Sequence, residues 1–133
     1  MLLTALALAL VAANPSAGMP AARLSDALDL AAHTLAAGRA QEALVTLEKA
    51  SIADPHDSAV LINLGIAYAQ AGQEAKARAA FQQAVACREV IELDTADGTA
   101  TDSRRLARKA IRMLDRGEFR AVSARTGTLT FRD

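Results

Sequence analysis

The sequence predicts an all-α domain, and three observations carry that expectation. Alanine dominates a chain with only 3% aromatic residues and no Trp, a composition that suits closely packed helices better than a β-sandwich. Between Ser58 and Ala84 the apolar residues recur at helical spacing. Leu61, Leu64 and Tyr68 stand at i, i+3 and i+7, and Ala77, Phe81 and Ala84 form a second, facing stripe. Gly72 lies between the stripes, where a first helix must stop in the left-handed conformation and turn back. Gly65 and Ala77 are small where the two helices of such a hairpin cross.

At 133 residues the chain is one domain with a modest core. Its net charge is zero, but the charge is segregated. Residues 1–101 hold 6 Lys/Arg against 11 Asp/Glu, whereas residues 102–133 hold 9 against 4. An acidic body is thus followed by a basic end. Cys87 is the only cysteine, which excludes an intramolecular disulfide and any cysteine-based metal cluster.

Leu61, Leu64, Gly65, Tyr68, Ala77, Phe81 and Ala84 occupy positions 4, 7, 8, 11, 20, 24 and 27 of a unit of about 34 residues. In this the segment resembles the tetratricopeptide repeat. Stepping back by one repeat length gives a weaker copy over 24–57, with Ala27, Leu30, Ala31, Thr34, Ala43, Leu47 and Ala50 at the same positions. Gly38 matches Gly72, and Pro55 stands where the family usually has proline. The resemblance implies an α-solenoid of two helical hairpins, repeats 24–57 and 58–91, within a domain spanning 21–116. Degenerate terminal repeats are expected in such folds, because the outer face has no neighbour.

Taken in order, residues 1–13 form an apolar run broken only by Thr4, too short to span a bilayer. Its length and the small residues Val11-Ala12-Ala13 read as a secretory signal cleaved before Asn14, which would make the protein periplasmic or otherwise exported. No Lys or Arg precedes the run, so a buried helix or a misassigned start is the competing reading. Residues 14–20 form a Pro/Ser/Gly linker, and Pro20 suits the first position of a helix. Helices are expected at about 21–37, 40–52, 58–71 and 74–93, with Asp57 as an N-cap. A third repeat fails, because Gly98 and Asp102 fall where large apolar residues belong. Residues 94–101 read instead as a turn-rich loop, and 102–116 as one amphipathic capping helix stopped by Gly117. Its apolar stripe is Leu106, Ala110, Ile111 and Leu114, with Met113 at the edge. The tail 117–133 reads as irregular, with at most a short strand around Thr128–Phe131.

Catalytic chemistry finds no foothold. His33 and His56 lie in different elements without acidic neighbours at ligand spacing, so no metal or cofactor is expected. The chain has no Gly-rich phosphate loop, Gly-x-Ser-x-Gly or His-Glu-x-x-His, and Asp94 and Asp97 bracket a solvated turn. Cys87 reads as a small buried filler; a reactive thiol or an intermolecular disulfide is the other option.

Two features point to binding, and the expected function is a protein-interaction module rather than an enzyme. By the resemblance, the first helix of each hairpin lines a concave groove. That assigns Ser25, Leu28, Ala32, Leu35 and Ala36 from one repeat, and Ala59, Ile62, Ile66, Ala69 and Gln70 from the next. Members that grip a C-terminal carboxylate need Lys, Arg and Asn there. Leu28, Ile62, Ala32 and Ile66 make this groove apolar instead, suited to an amphipathic helix or an extended hydrophobic segment of a partner protein. The competing occupant is the chain's own capping helix or tail. The second feature is a basic face of Arg104, Arg105, Arg108, Lys109, Arg112 and Arg116. It reads either as a solvated face or as a site for an acidic protein or an anionic membrane surface. Nucleic acid fits less well, since no aromatic residue interleaves the cations. A cytoplasmic or membrane-surface binder using this helix is the alternative function, and homo-oligomerisation is left open.

Overall fold

The structure, a computed structural model, describes residues 21–95 and 98–120. The expected signal segment, the linker and the tail beyond residue 120 lie outside the described residues.

The fold is an all-α solenoid. Helices α1 (Ala21–Ala36) and α2 (Ala40–Ala53) form the first hairpin, and α3 (Ser58–Gln70) and α4 (Glu74–Ala86) form the second. A short antiparallel hairpin, β1 (Glu92–Asp94) and β2 (Ala100–Asp102), leads into α5 (Ser103–Asp115). The turns follow from local chemistry. Gly38 and Gly72 close α1 and α3 with φ of 75° and 81°, values that cost a side chain and suit glycine. The Asp57 carboxylate accepts from the Val60 N–H at 3.0 Å, and Asp102 accepts from the Arg105 N–H at 2.7 Å, each capping the N-terminus of the helix that follows. We expect Asp57→Ala and Asp102→Ala each to lower stability by about 1 kcal/mol in thermal unfolding followed by circular dichroism.

Three packed clusters hold the helices together. The first joins α1, α2 and α3 through Ala31, Leu35, Ala43, Leu44, Leu47 and Leu64. The second joins α3, α4 and α5 through Ala69, Ala77, Phe81, Ala110, Leu114 and Phe119. The third gathers Leu61, Ile62, Ala84, Cys87 and Ala107. Ile66, half-buried at the middle of α3, packs against all three.

Two expectations need correction. The second helix of repeat two does not run to residue 93; α4 ends at Ala86, and Cys87 is already extended. Val90, Ile91 and Leu93 continue a helical stripe in sequence, but the chain there is held by α5 instead. Ser103 N donates to Ile91 O at 2.8 Å, and Ile91 N donates to Ser103 Oγ at 3.2 Å. The Arg104 guanidinium donates to Cys87 O at 2.8 Å, taking the carbonyl that a longer helix would have used. Asp94 and residues 100–101 of the expected loop 94–101 accordingly belong to a β-hairpin, with Glu92 opposite Asp102 and Asp94 opposite Ala100. The second correction concerns the start of the tail. Residues 118–120 turn back in helical conformation, and Phe119 is buried, its ring stacked on Phe81 with centroids 6.1 Å apart. Arg120 pairs with Glu74, and Arg78 of α4 pairs with Asp115 of α5. Being largely exposed, these pairs orient α5 more than they stabilise it.

Candidate protein-binding surface

The repeat residues Leu61, Leu64, Gly65, Ala77, Phe81 and Ala84 are buried, with Gly65 against Phe81 where α3 crosses α4, whereas Tyr68 is only half-buried. The Tyr68 hydroxyl donates to Glu48 Oε1 at 2.9 Å, bridging α3 to α2, and the Lys76 ammonium lies 5.5 Å from the ring centroid. Burial first, then the hydrogen bond and negative charge of Glu48, raise the phenol above its ordinary value of 10.0.

The ten residues expected in the groove separate into three sets, with Ala59, at 8% exposure, among the buried ones. Leu35, Ile62 and Ala69 are 6%, 2% and 2% exposed and belong to the chain's own core. Ile62 is packed with Ala107 of α5, and Ala69 with Ala110 and Leu114, so α5 lies over both ends of the α3 inner face. Leu28, Ile66 and Gln70 are half-buried, and Ala32 is exposed. Ser25 and Ala36, exposed as well, share the same flank of α1 as Ala32 at 100° per residue. What faces solvent is therefore a strip of small side chains on α1, bordered by Leu28 and, across α3, by Ile66.

The six cations of the expected basic face also separate. Arg104 turns inward, with its guanidinium on the carbonyls of Cys87 and Arg88 just past the end of α4; a cation there complements the helix C-terminus. Arg105, Arg108, Lys109, Arg112 and Arg116 are exposed on the arc opposite Ser103, Ala107, Ala110 and Leu114.

Cys87 is buried, and its thiol donates to Gln83 O and His56 O, both at 3.3 Å. An open depression beside it is lined by Pro55, His56, Leu61 and Arg88. Among the described residues no group of three His, Cys, Asp or Glu is placed to hold a metal ion. No described helix is long and apolar enough to cross a membrane.

Phe119 is the residue that sequence reasoning missed. It lies past Gly117, where the helical period ends, and the only available signal was a lone aromatic after the cap. No curated protein and no solved structure matches the chain. One family model does: residues 34–89, from the last turn of α1 to just beyond α4, match the tetratricopeptide repeat, a protein-interaction module.

Proposed function

We propose that the protein is a small exported scaffold that holds a segment of a partner protein along the inner flank of α1 and α3. The observation carrying this reading is the exposed strip of Ser25, Ala32 and Ala36 beside half-buried Leu28 and Ile66. Small side chains let a partner backbone approach closely, and the larger flanking residues offer apolar area that is not yet fully buried. Coverage of Ile62 and Ala69 by α5 limits the site to its α1 side, which favours a short segment over a long helix. Repeats of this kind are as a rule non-catalytic, and the role is that of a holder or assembly factor.

In the same reading residues 1–13 direct export, with cleavage before Asn14, and the scaffold works in a bacterial envelope. The apolar run ending in Val11-Ala12-Ala13 supports this. N-terminal sequencing of the protein from its own cells tests it: a start at Asn14 is expected, and a retained Met1 would contradict export.

The groove is tested by Ala32→Glu with Ala36→Glu, both on exposed positions of α1. We expect helical content to be unchanged and partner affinity to fall at least about tenfold, or about 1.4 kcal/mol. Unchanged affinity would remove this flank from the site. Ile62→Asp is unsuitable for the purpose, because it would put a charge into the core.

A further inference from the structure

The two ends of the solenoid carry opposite charge. Of the two helices before it, α5 packs more on α4 than on α3, as α3 packs more on α2 than on α1. It therefore stands as the first helix of a third unit, and its outward arc is the face on which a further helix of a solenoid would lie. That arc holds Arg105, Arg108, Lys109, Arg112 and Arg116, all exposed. Arg105 is 3.9 Å from Asp102, and Arg116 is 3.1 Å from Glu118; Arg108, Lys109 and Arg112 make no ion pair among the described residues. The cations follow one another at roughly one helical turn, about 5.4 Å, so they form a row rather than a cluster.

At the opposite end, the outer flank of α1 is acidic. Asp26 and Asp29 are exposed, make no ion pair among the described residues, and share that flank with His33 and the exposed Arg23, which leaves one net negative charge. Leu30 lies beside them at 60% exposure, the kind of apolar contact that an ionic interface needs to hold once formed. The segregation is the one visible in the whole sequence, where an acidic body precedes a basic end.

We propose that these two faces dock on each other between copies of the chain, α5 of one against α1 of the next. The arginines supply forked donors to the carboxylates of Asp26 and Asp29, and Leu30 seats against the half-buried rim of Met113 and Leu106 that borders the basic arc. The contact joins two different surfaces and so does not close on a two-fold axis; it propagates head to tail. The contact goes beyond the partner site proposed above, and because Asp29 adjoins Ser25, Ala32 and Ala36 on α1, the two compete for that part of the helix.

Sedimentation velocity on the full chain tests this. At low ionic strength the mean mass should rise with concentration, and it should return to the monomer near about 0.5 M salt, where the Debye length is only a few ångströms. Arg108→Glu with Arg112→Glu, and separately Asp26→Lys with Asp29→Lys, should each weaken association at least about tenfold while leaving the circular dichroism unchanged. An equimolar mixture of the two variants restores complementary faces and should associate again. A wild-type chain that stays monomeric at low salt would overturn the proposal, whether its own terminal segment or an unrelated acidic protein covers these faces. A mixture no better than its components would overturn it too.

Discussion

Phe81→Ala should lower the stability of the protein by about 3–5 kcal/mol, the largest effect expected of any single truncation here. Phe81 is fully buried and, among the described residues, is the largest side chain to be so. Its ring lies over Gly65 of α3, belongs to the cluster shared with Ala110 and Leu114 of α5, and stacks on Phe119. Removing it takes away the transfer free energy of the ring and leaves a cavity that three helices would have to close together. A small domain has about 5–15 kcal/mol in total, so the variant should unfold at a much lower urea concentration. Phe119→Ala should cost less, because Phe119 keeps 7% exposure where Phe81 has none. If the urea midpoint of Phe81→Ala stays near that of the wild type, the second hairpin is not packed around this ring.

Gly65→Val should be nearly as damaging, by about 3 kcal/mol. A Cβ built on Gly65 falls 2.6 Å from Phe81 Cδ1 and 2.9 Å from Cζ, with Cε1 closer still. Such distances require the ring to move, and the ring is enclosed by Phe119 and α5. Gly65 has an ordinary helical backbone, so its role is space rather than conformation. The double-mutant cycle separates the two. In wild type, Gly65→Ala should be destabilising, although alanine is the better helix former by about 1 kcal/mol. In a Phe81→Ala background the obstruction is gone, and Gly65→Ala should become neutral or stabilising. The same cost in both backgrounds would mean that the ring is not what requires the glycine.

Much of this packing is legible in the sequence because it is local. The stripes Leu61, Leu64, Tyr68 and Ala77, Phe81, Ala84 announce their helices by period, Gly72 and Gly38 by position, and Asp57 by its place before the third helix. What was not legible depends on contacts between distant residues. Nothing near Ala86 breaks a helix; the chain leaves α4 there because Arg104 and Ser103, twelve or more residues later, take the Cys87 carbonyl and the backbone of Ile91. Strands of three residues are too short to show alternation, and Val90-Ile91 suits a helical stripe as well as an extended one. Ile62 resembles a groove residue by its place in the repeat, yet it is buried, because α5 comes back over it. Arg104 shares the composition of the basic face but not its direction. The site was thus readable as a set of helix positions, and its openness was not, since exposure is decided by where the fifth helix docks.

The most direct measurement is photo-crosslinking in the protein's own cells, with a photoreactive residue placed at Ala32 and, separately, at Val45. Val45 is 57% exposed on the outer face of α2, away from the proposed groove. The expected result is one dominant crosslinked protein from position 32, joined through a single short segment and lost in the Ala36→Glu variant, with no such product from position 45. Equal crosslinking from both positions, or none from position 32, would contradict a partner held on the inner flank of α1.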